Sequence, residues 1–274
     1  MPFDVTDFES LMDLESHGPD VFVGVGPSYP WGRVYGGQVV AQALRAAWAT
    51  VDTDHQVHSL HAYFIRGGDF EEPIRYEVDR IRNGRSFLTR RVVARQSVGP
   101  ILNLSASFQL REEKEEDVQE LEFPADTPSP EDLPKDDWGP ILQRRMLPLA
   151  KDGPAKSACW LRVTPPVGDD PVMQACALAY ASDDIPTEAA SLSHPRRPSP
   201  SADLGEFDRV FVGASLDHAI WFHRPGRHDD WVLHDFRGQG IVGARGLGIG
   251  QLYARSGTHL ATVAQEILLR VRTR

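Results

Sequence analysis

Polar and apolar residues alternate with period two in several stretches and recur at helical spacing in others. In 74–81, Ile74, Tyr76 and Val78 alternate with Arg75, Glu77 and Asp79. In 101–110, Leu102, Leu104, Ala106, Phe108 and Leu110 alternate with more polar neighbours. This pattern predicts antiparallel strands with one covered face. Strands are also predicted over 58–66 and 86–96, and Asn83-Gly84 is a hairpin turn signal. Residues 39–51 predict a helix that is apolar nearly all round (Val39, Val40, Ala41, Ala43, Leu44, Ala46, Ala47, Trp48) and so buried on most sides. A short amphipathic helix is expected over 4–14, with Phe8, Leu11, Met12 and Leu14 near one stripe. The second half gives a strand over 159–163, an Ala-rich helix over 172–182, and strands over 209–224, 231–237, 241–254 and 259–271. Between the halves, residues 112–140 open on acidic side chains and continue with Pro124, Pro128, Pro130 and Pro134, which reads as a solvated linker.

The chain also repeats. Ser59-Leu60-His61-Ala62-Tyr63-Phe64-Ile65-Arg66 returns 156 positions later as the block from Ser215 to Arg224. Arg82 and Arg90 are answered by Arg237 and Arg245, 155 positions on, and Ala43-Leu44 by Ala177-Leu178, 134 positions on. A period this long is a duplicated domain, since solenoid units run only ~20–50 residues. The expected organisation is a domain over 1–110, an acidic, Pro-rich linker over 111–137, and a second domain over 138–274. One helix on one antiparallel sheet, twice, is an α+β arrangement. Aligning the two sheets edge to edge would cover one edge of each.

Composition narrows the function. A net charge of −10 argues against bulk binding to nucleic acid. A small anion remains accessible to local arginines, and Arg82, Arg85, Arg270, Arg272 and Arg274 are candidates. No run of 18 apolar residues occurs, so no membrane span is expected. The N-terminus lacks the basic start and apolar stretch of a secretory signal, and cytoplasm is the default. Cys159 and Cys176 read as two buried thiols.

Two side chains stand out for their surroundings. Gln265 falls among Ala261, Val263, Ile267 and Leu269, and a buried amide without partners costs on the order of 1–3 kcal/mol. Asp217 lies on a strand apolar on both sides and so requires a partner or a function; its counterpart in the first copy is His61. Gly36-Gly37-Gln38 precedes the first buried helix, where free N–H groups and partial positive charge are available to an oxygen gaining negative charge. Gly238-Gln239-Gly240-Ile241-Val242-Gly243 fits G-x-G-x-x-G, but the Gly-rich run after it is poor helix, which a dinucleotide site needs. Ser215, Asp217 and His218 have triad residue types without a nucleophile elbow. No metal-binding spacing is present, and no cofactor is implied.

With these residues in view, the chain resembles the acyl-CoA thioesterase II family. The likeness is carried by Tyr35-Gly36-Gly37-Gln38-Val39-Val40-Ala41-Gln42-Ala43-Leu44, Val57-His58-Ser59-Leu60-His61-Ala62-Tyr63-Phe64-Ile65-Arg66 and Ser105-Ala106-Ser107-Phe108-Gln109 in the first half. In the second half it is carried by Leu216-Asp217-His218-Ala219-Ile220-Trp221-Phe222-His223-Arg224-Pro225, Ala244-Arg245-Gly246 and Val263-Ala264-Gln265-Glu266. The resemblance implies a double hotdog, each domain a long helix wrapped by an antiparallel sheet, and hydrolysis of acyl-CoA thioesters by an activated water without metal or covalent acyl-enzyme. The family uses an aspartate, a hydroxyl residue and a glutamine around that water. Asp217 is expected as the aspartate and Gln265 as the glutamine. The hydroxyl position falls on Gln239, which can orient a water but cannot act as a hydroxyl. Gly36 and Gly37 are expected near the oxyanion, with Tyr35 and Tyr63 lining the substrate path. A homo-oligomer is expected. The alternative motivated by Gln239 is a catalytically weak acyl-CoA binder or regulator.

Overall fold

Strand edges expose unpaired N–H and C=O groups, and this chain covers most of them by building one long antiparallel sheet. The computed structural model describes residues 3, 5–112, 116–149, 155–198 and 204–273. The first half holds α1 (Phe8–Met12), β1 (Glu15–Ser16), β2 (Val21–Gly24), α2 (Gly36–Trp48), β3 (His55–Phe64), β4 (Ile74–Asn83), β5 (Phe87–Gln96) and β6 (Gly99–Leu110). The second holds β7 (Leu142–Met146), β8 (Lys156–Val163), α3 (Pro171–Ala181), α4 (Pro186–Ser191), α5 (Leu204–Val210), β9 (Phe211–Ser215), β10 (Asp217–Phe222), β11 (Val232–Val242), β12 (Arg245–Ala254) and β13 (His259–Val271). The strand order is β1-β2-β4-β5-β6-β3-β10-β13-β12-β11-β8-β7, with β9 also on β13. The halves therefore meet at β3 and β10, where Ala62 lies opposite His218 and Leu60 opposite Ile220.

The apolar helices occupy the inner face. α2 buries all but two of its residues, Gly36 and Arg45, between α3 and strands β4, β5 and β6. It begins at Gly36, three residues before its apolar run, because Tyr35 is extended and the two glycines fit where side chains would not. α3 starts at Pro171, whose missing N–H costs nothing at that position, and Asp170 caps it by accepting from the Val172 N–H at 2.9 Å. Tyr35 Oη donates to Tyr180 O at 2.9 Å and fastens the start of α2 to the last turn of α3.

Two expectations change, for 209–224 and for the linker, and the G-x-G-x-x-G segment holds no helix, as expected. The stretch 209–224 is the end of α5 followed by two strands, β9 and β10, with a register break between them: Ser215 lies opposite Ile267, yet Ala219, four residues on, lies opposite Ala264, three residues back. The G-x-G-x-x-G segment is strand, then a bulge between Gly238 and Gly240, then a tight turn with Gly243 and Ala244 both at positive φ. The presumed solvated linker lies along the outer face of the second half. Gln119 accepts from the His259 N–H at 2.8 Å, Phe123 stacks near Trp160 and Tyr253, Trp160 Nε1–H donates to Pro128 O, and Arg255 grips Glu131 with two nitrogens. Of its acidic start, residues 113–115 lie outside the described residues, as does Arg274. Among the described residues no helix is long and apolar enough to cross a membrane.

Candidate active site

Gln265 is the fixed point of the site. It is fully buried on β13, on the inner face with Val263 and Ile267. Its Nε2 donates to Ser215 Oγ at 2.8 Å. Its Oε1 lies 2.5 Å from His218 Nδ1, and His218 Nε2 lies 2.8 Å from Ser182 Oγ. A buried amide, an imidazole and two hydroxyls thus satisfy one another, which is the condition for a polar group to persist in an apolar interior.

Asp183 completes the cluster. It follows Ser182, the C-cap of α3, and is 8% exposed. Burial pushes the pKa of its carboxylate up to about 7 and Asp184 adds to the rise, although the Gln265 side chain and the Gly37 N–H, which lie beside it, favour the ionised form. Among the described residues its Oδ1 has no hydrogen-bond partner. A side chain at Gly36 would place Cβ 2.5 Å from Asp183 Oδ2, and one at Gly37 would place it 2.3 Å from Tyr180 O. The N-terminus of α2 therefore reaches the carboxylate because these two residues are glycines.

The register break explains the membership. Residues 215 and 217 would share a face on an unbroken strand. Here Ser215 is opposite Ile267 and faces inward with Gln265, whereas Asp217 falls on the outer face with Glu266. Asp217 accepts from the Glu266 N–H at 2.8 Å and sits opposite Tyr63, which is 64% exposed. Partial burial raises its pKa, with Glu266 adding to the rise. The structure thus separates Asp217 from Gln265 by the thickness of the sheet, and Tyr63 from the site by the same reasoning. Gln239 is exposed in the β11 bulge, its Nε2 donating to Arg237 O at 3.2 Å. β12 stands between it and β13, so the two residues' backbones are about two strand spacings, ~10 Å, apart. Gly36 lies against Asp183, Gly37 against Tyr180 O, and Tyr35 is hydrogen-bonded to Tyr180 O.

Sequence reasoning missed Asp183 and passed over Ser215. A signal for Asp183 exists: a carboxylate just past a helix C-terminus faces the negative end of the macrodipole, and the last turn of α3 holds no basic residue to offset it. Ser215 was hidden by the irregularity at Leu216, whose N–H bonds to Glu266 O.

The arrangement also limits the chemistry. Both ring nitrogens of His218 are engaged away from Ser215, and Gln265 donates to Ser215 and cannot take its proton. Among the described residues Ser215 has no base bonded to it, so it is unsuited to act as an activated nucleophile. Asp183, with a free lone pair and a pKa near neutrality, is suited to accept a proton from water.

Comparison with known proteins gives the family. The profile of the acyl-CoA thioesterase N-terminal domain matches residues 26–109, and that of the acyl-CoA thioesterase C-terminal domain matches residues 115–269. Acyl-coenzyme A thioesterase 8 of Homo sapiens is 34% identical over 96% of this chain and 88% of its own length. Acyl-CoA thioesterase 2 of Haemophilus influenzae is 32% identical over 95% of this chain and 96% of its own. The crystal structure of the acyl-CoA thioesterase II TesB2 from Mycobacterium marinum is 34% identical and superposes with a TM-score of 0.82, covering 97% of this chain and 98% of that one. A protein described as having a hot dog fold, from Alicyclobacillus acidocaldarius, is 21% identical with a TM-score of 0.77 and shares the fold. This chain belongs to the acyl-CoA thioesterase II family.

Proposed function

We propose that this chain hydrolyses acyl-CoA thioesters to a carboxylic acid and coenzyme A, and that a water held between Asp183 and Ser215 is the nucleophile. The observation that carries the reading is the buried carboxylate of Asp183, with an unpartnered Oδ1, beside the Ser215–Gln265 pair. The water donates one hydrogen to Asp183 Oδ1 and accepts one from the Ser215 hydroxyl, whose Oγ is already held by Gln265. One water lone pair is left for the thioester carbonyl. Fixing the water in this way removes much of the entropic cost of the encounter. The proton taken by Asp183 passes to the departing sulfur, so the carboxylate is regenerated at each turnover. The first turn of α2 supplies the positive end of a helix dipole where the carbonyl oxygen gains charge, while its Gly37 N–H holds Asp183 beside it.

The same reading takes the chain as two hotdog domains in tandem, α2 wrapped by β2–β6 and α3 by β7–β13, with the site owned by the second copy. In support, the repeat places Ala49 of the first copy where the second has Asp183. The case for a weak acyl-CoA binder loses its motive, because Ser215 supplies the hydroxyl that Gln239 lacked.

The test is release of free thiol from acetyl-, hexanoyl- and palmitoyl-coenzyme A. Asp183→Asn and Ser215→Ala are expected to lower kcat by about two orders of magnitude or more. Wild-type turnover in Asp183→Asn would refute the mechanism.

A further inference from the structure

We propose that His218 is a positioning residue for this hydrolysis: its Nδ1–H holds Gln265 Oε1, and so keeps both amide N–H groups turned toward Ser215 and Asp183. The inference rests on the catalytic reading above.

A glutamine amide has two orientations that exchange a carbonyl oxygen for an NH2 group, with nearly the same shape. The fold alone does not choose between them. An ionised Asp183 can only accept, so it demands an N–H, and the nitrogen lies 2.8 Å from Ser215 Oγ. In the flipped orientation a carbonyl oxygen would face a carboxylate, and the Ser215 hydroxyl that holds the water would lose its donor. His218 decides the matter. It is 1% exposed, and its Nδ1 lies 2.5 Å from Oε1, where only a donor is compatible with a carbonyl oxygen. A neutral imidazole that donates from Nδ1 must accept at Nε2, and the Ser182 hydroxyl, 2.8 Å away, is then the donor, its one hydrogen turned to the ring from the Ala179 carbonyl 3.0 Å away. Burial pushes the His218 pKa down to about 4, which keeps the ring neutral over the working range. Ser182, His218, Gln265 and Asp183 then form a directed chain of donors that begins one residue before the carboxylate on which it ends.

The repeat supplies an independent argument. Ala62 is the counterpart of His218 in the first copy, 156 positions earlier, and it is also the residue directly opposite His218 across the β3–β10 seam. Both side chains face inward at the point about which the copies are related. One copy is reduced to a methyl group there, leaving space for a single imidazole, and that imidazole belongs to the copy that holds the carboxylate.

The test compares three substitutions with melting as the control for folding. His218→Asn places an amide N–H where Nδ1 stood, His218→Gln places it where Nε2 stood, and His218→Leu has no donor. In His218→Leu, kcat is expected to fall about 10- to 100-fold, with KM within about twofold. The acidic limb of the kcat/KM profile, which reports Asp183, is expected to move to higher pH as the carboxylate loses its amide donor. The other groups acting on that carboxylate, Gly37 and Asp184, are left in place by these substitutions, so a shift reports the turn of the Gln265 amide. His218→Asn is expected to recover most of the lost kcat and the original limb, and His218→Gln is not. Equal impairment of folded Asn and Gln variants, or an unshifted limb in folded His218→Leu, overturns the inference. Asp183→Asn separates the two levels: if it stays active, the catalytic reading fails; if it is inactive while His218→Leu behaves as wild type, only the role of His218 fails.

Discussion

Asp183→Asn should stabilise the protein while it inactivates it, by an amount that depends on pH. The isostere keeps the volume and a hydrogen-bonding head but removes the charge. Burial lifts the pKa of Asp183 from 3.8 to about 7 in the folded chain. That rise of about three pH units, at about 1.4 kcal/mol each, makes the ionised form cost about 4 kcal/mol. The sign follows from proton binding. Between the two values the folded state holds a proton that the unfolded state has released, so wild-type stability falls as pH rises from about 4 to about 7 and then levels off. The variant lacks this loss. Its advantage should grow by about 3 kcal/mol between pH 5 and pH 8, equivalent to about 6 °C or more in melting temperature for a chain of this size. Denaturant unfolding at the two pH values measures it directly. An advantage of the same size at pH 5 and pH 8 would show that Asp183 is not held ionised at a cost, and the argument for it as a base tuned by burial would fail. Such an exchange of stability for activity is typical of a charge kept in a catalytic interior.

Asp217→Asn, on the outer face with its carboxylate already accepting from the Glu266 N–H, should keep kcat within about threefold of wild type; a loss of 100-fold in thiol release would return it to the site. Gly36→Ala would drive a methyl group to 2.5 Å from Asp183 Oδ2 and should cut kcat by about 10-fold or more, with a melting temperature changed far less than activity. Three buried histidines should make the protein acid-labile. His218 and His228 are pushed down to about 4 and about 3 by burial, and His234 lies well below its ordinary value. Below about pH 6.5 the unfolded chain takes up protons that these rings refuse, so each adds a loss of about 1.4 kcal/mol per pH unit, partly offset by Asp183. Both ring nitrogens of His234 lack partners among the described residues, so His234→Leu should flatten that slope in urea titrations at pH 6.5 and 5 without lowering stability at pH 8.

How much of this could be read from the chain follows from where its periodicity is local and where it is not. The Ala-rich helices were legible because apolar residues on all sides leave a helix no place but the interior. The strands were legible because alternation marks a covered face, and the same alternation singled out Gln265 as an amide in an apolar row. The edge-to-edge sheet was foreshadowed by the repeat, and Gly36-Gly37 by the need for close approach at a helix start. What the structure moves is Asp217, expected from the resemblance beside Gln265 and found on the outer face. Alternation holds only within an unbroken strand, and the break at Leu216 puts Ser215 and Asp217 on opposite faces. Gln239 failed for a related reason, since the bulge in β11 and the width of β12 set its distance from Gln265. Asp183 stands in no periodic segment, and its burial arises from α2 meeting α3 across some 140 residues of chain. The sequence by itself determined which segments are helix and strand and that a glutamine is buried, because those depend on neighbours a few residues away. Only the tertiary structure decided which carboxylate and which hydroxyl meet that glutamine, because strand register and helix contact are set by partners distant along the chain.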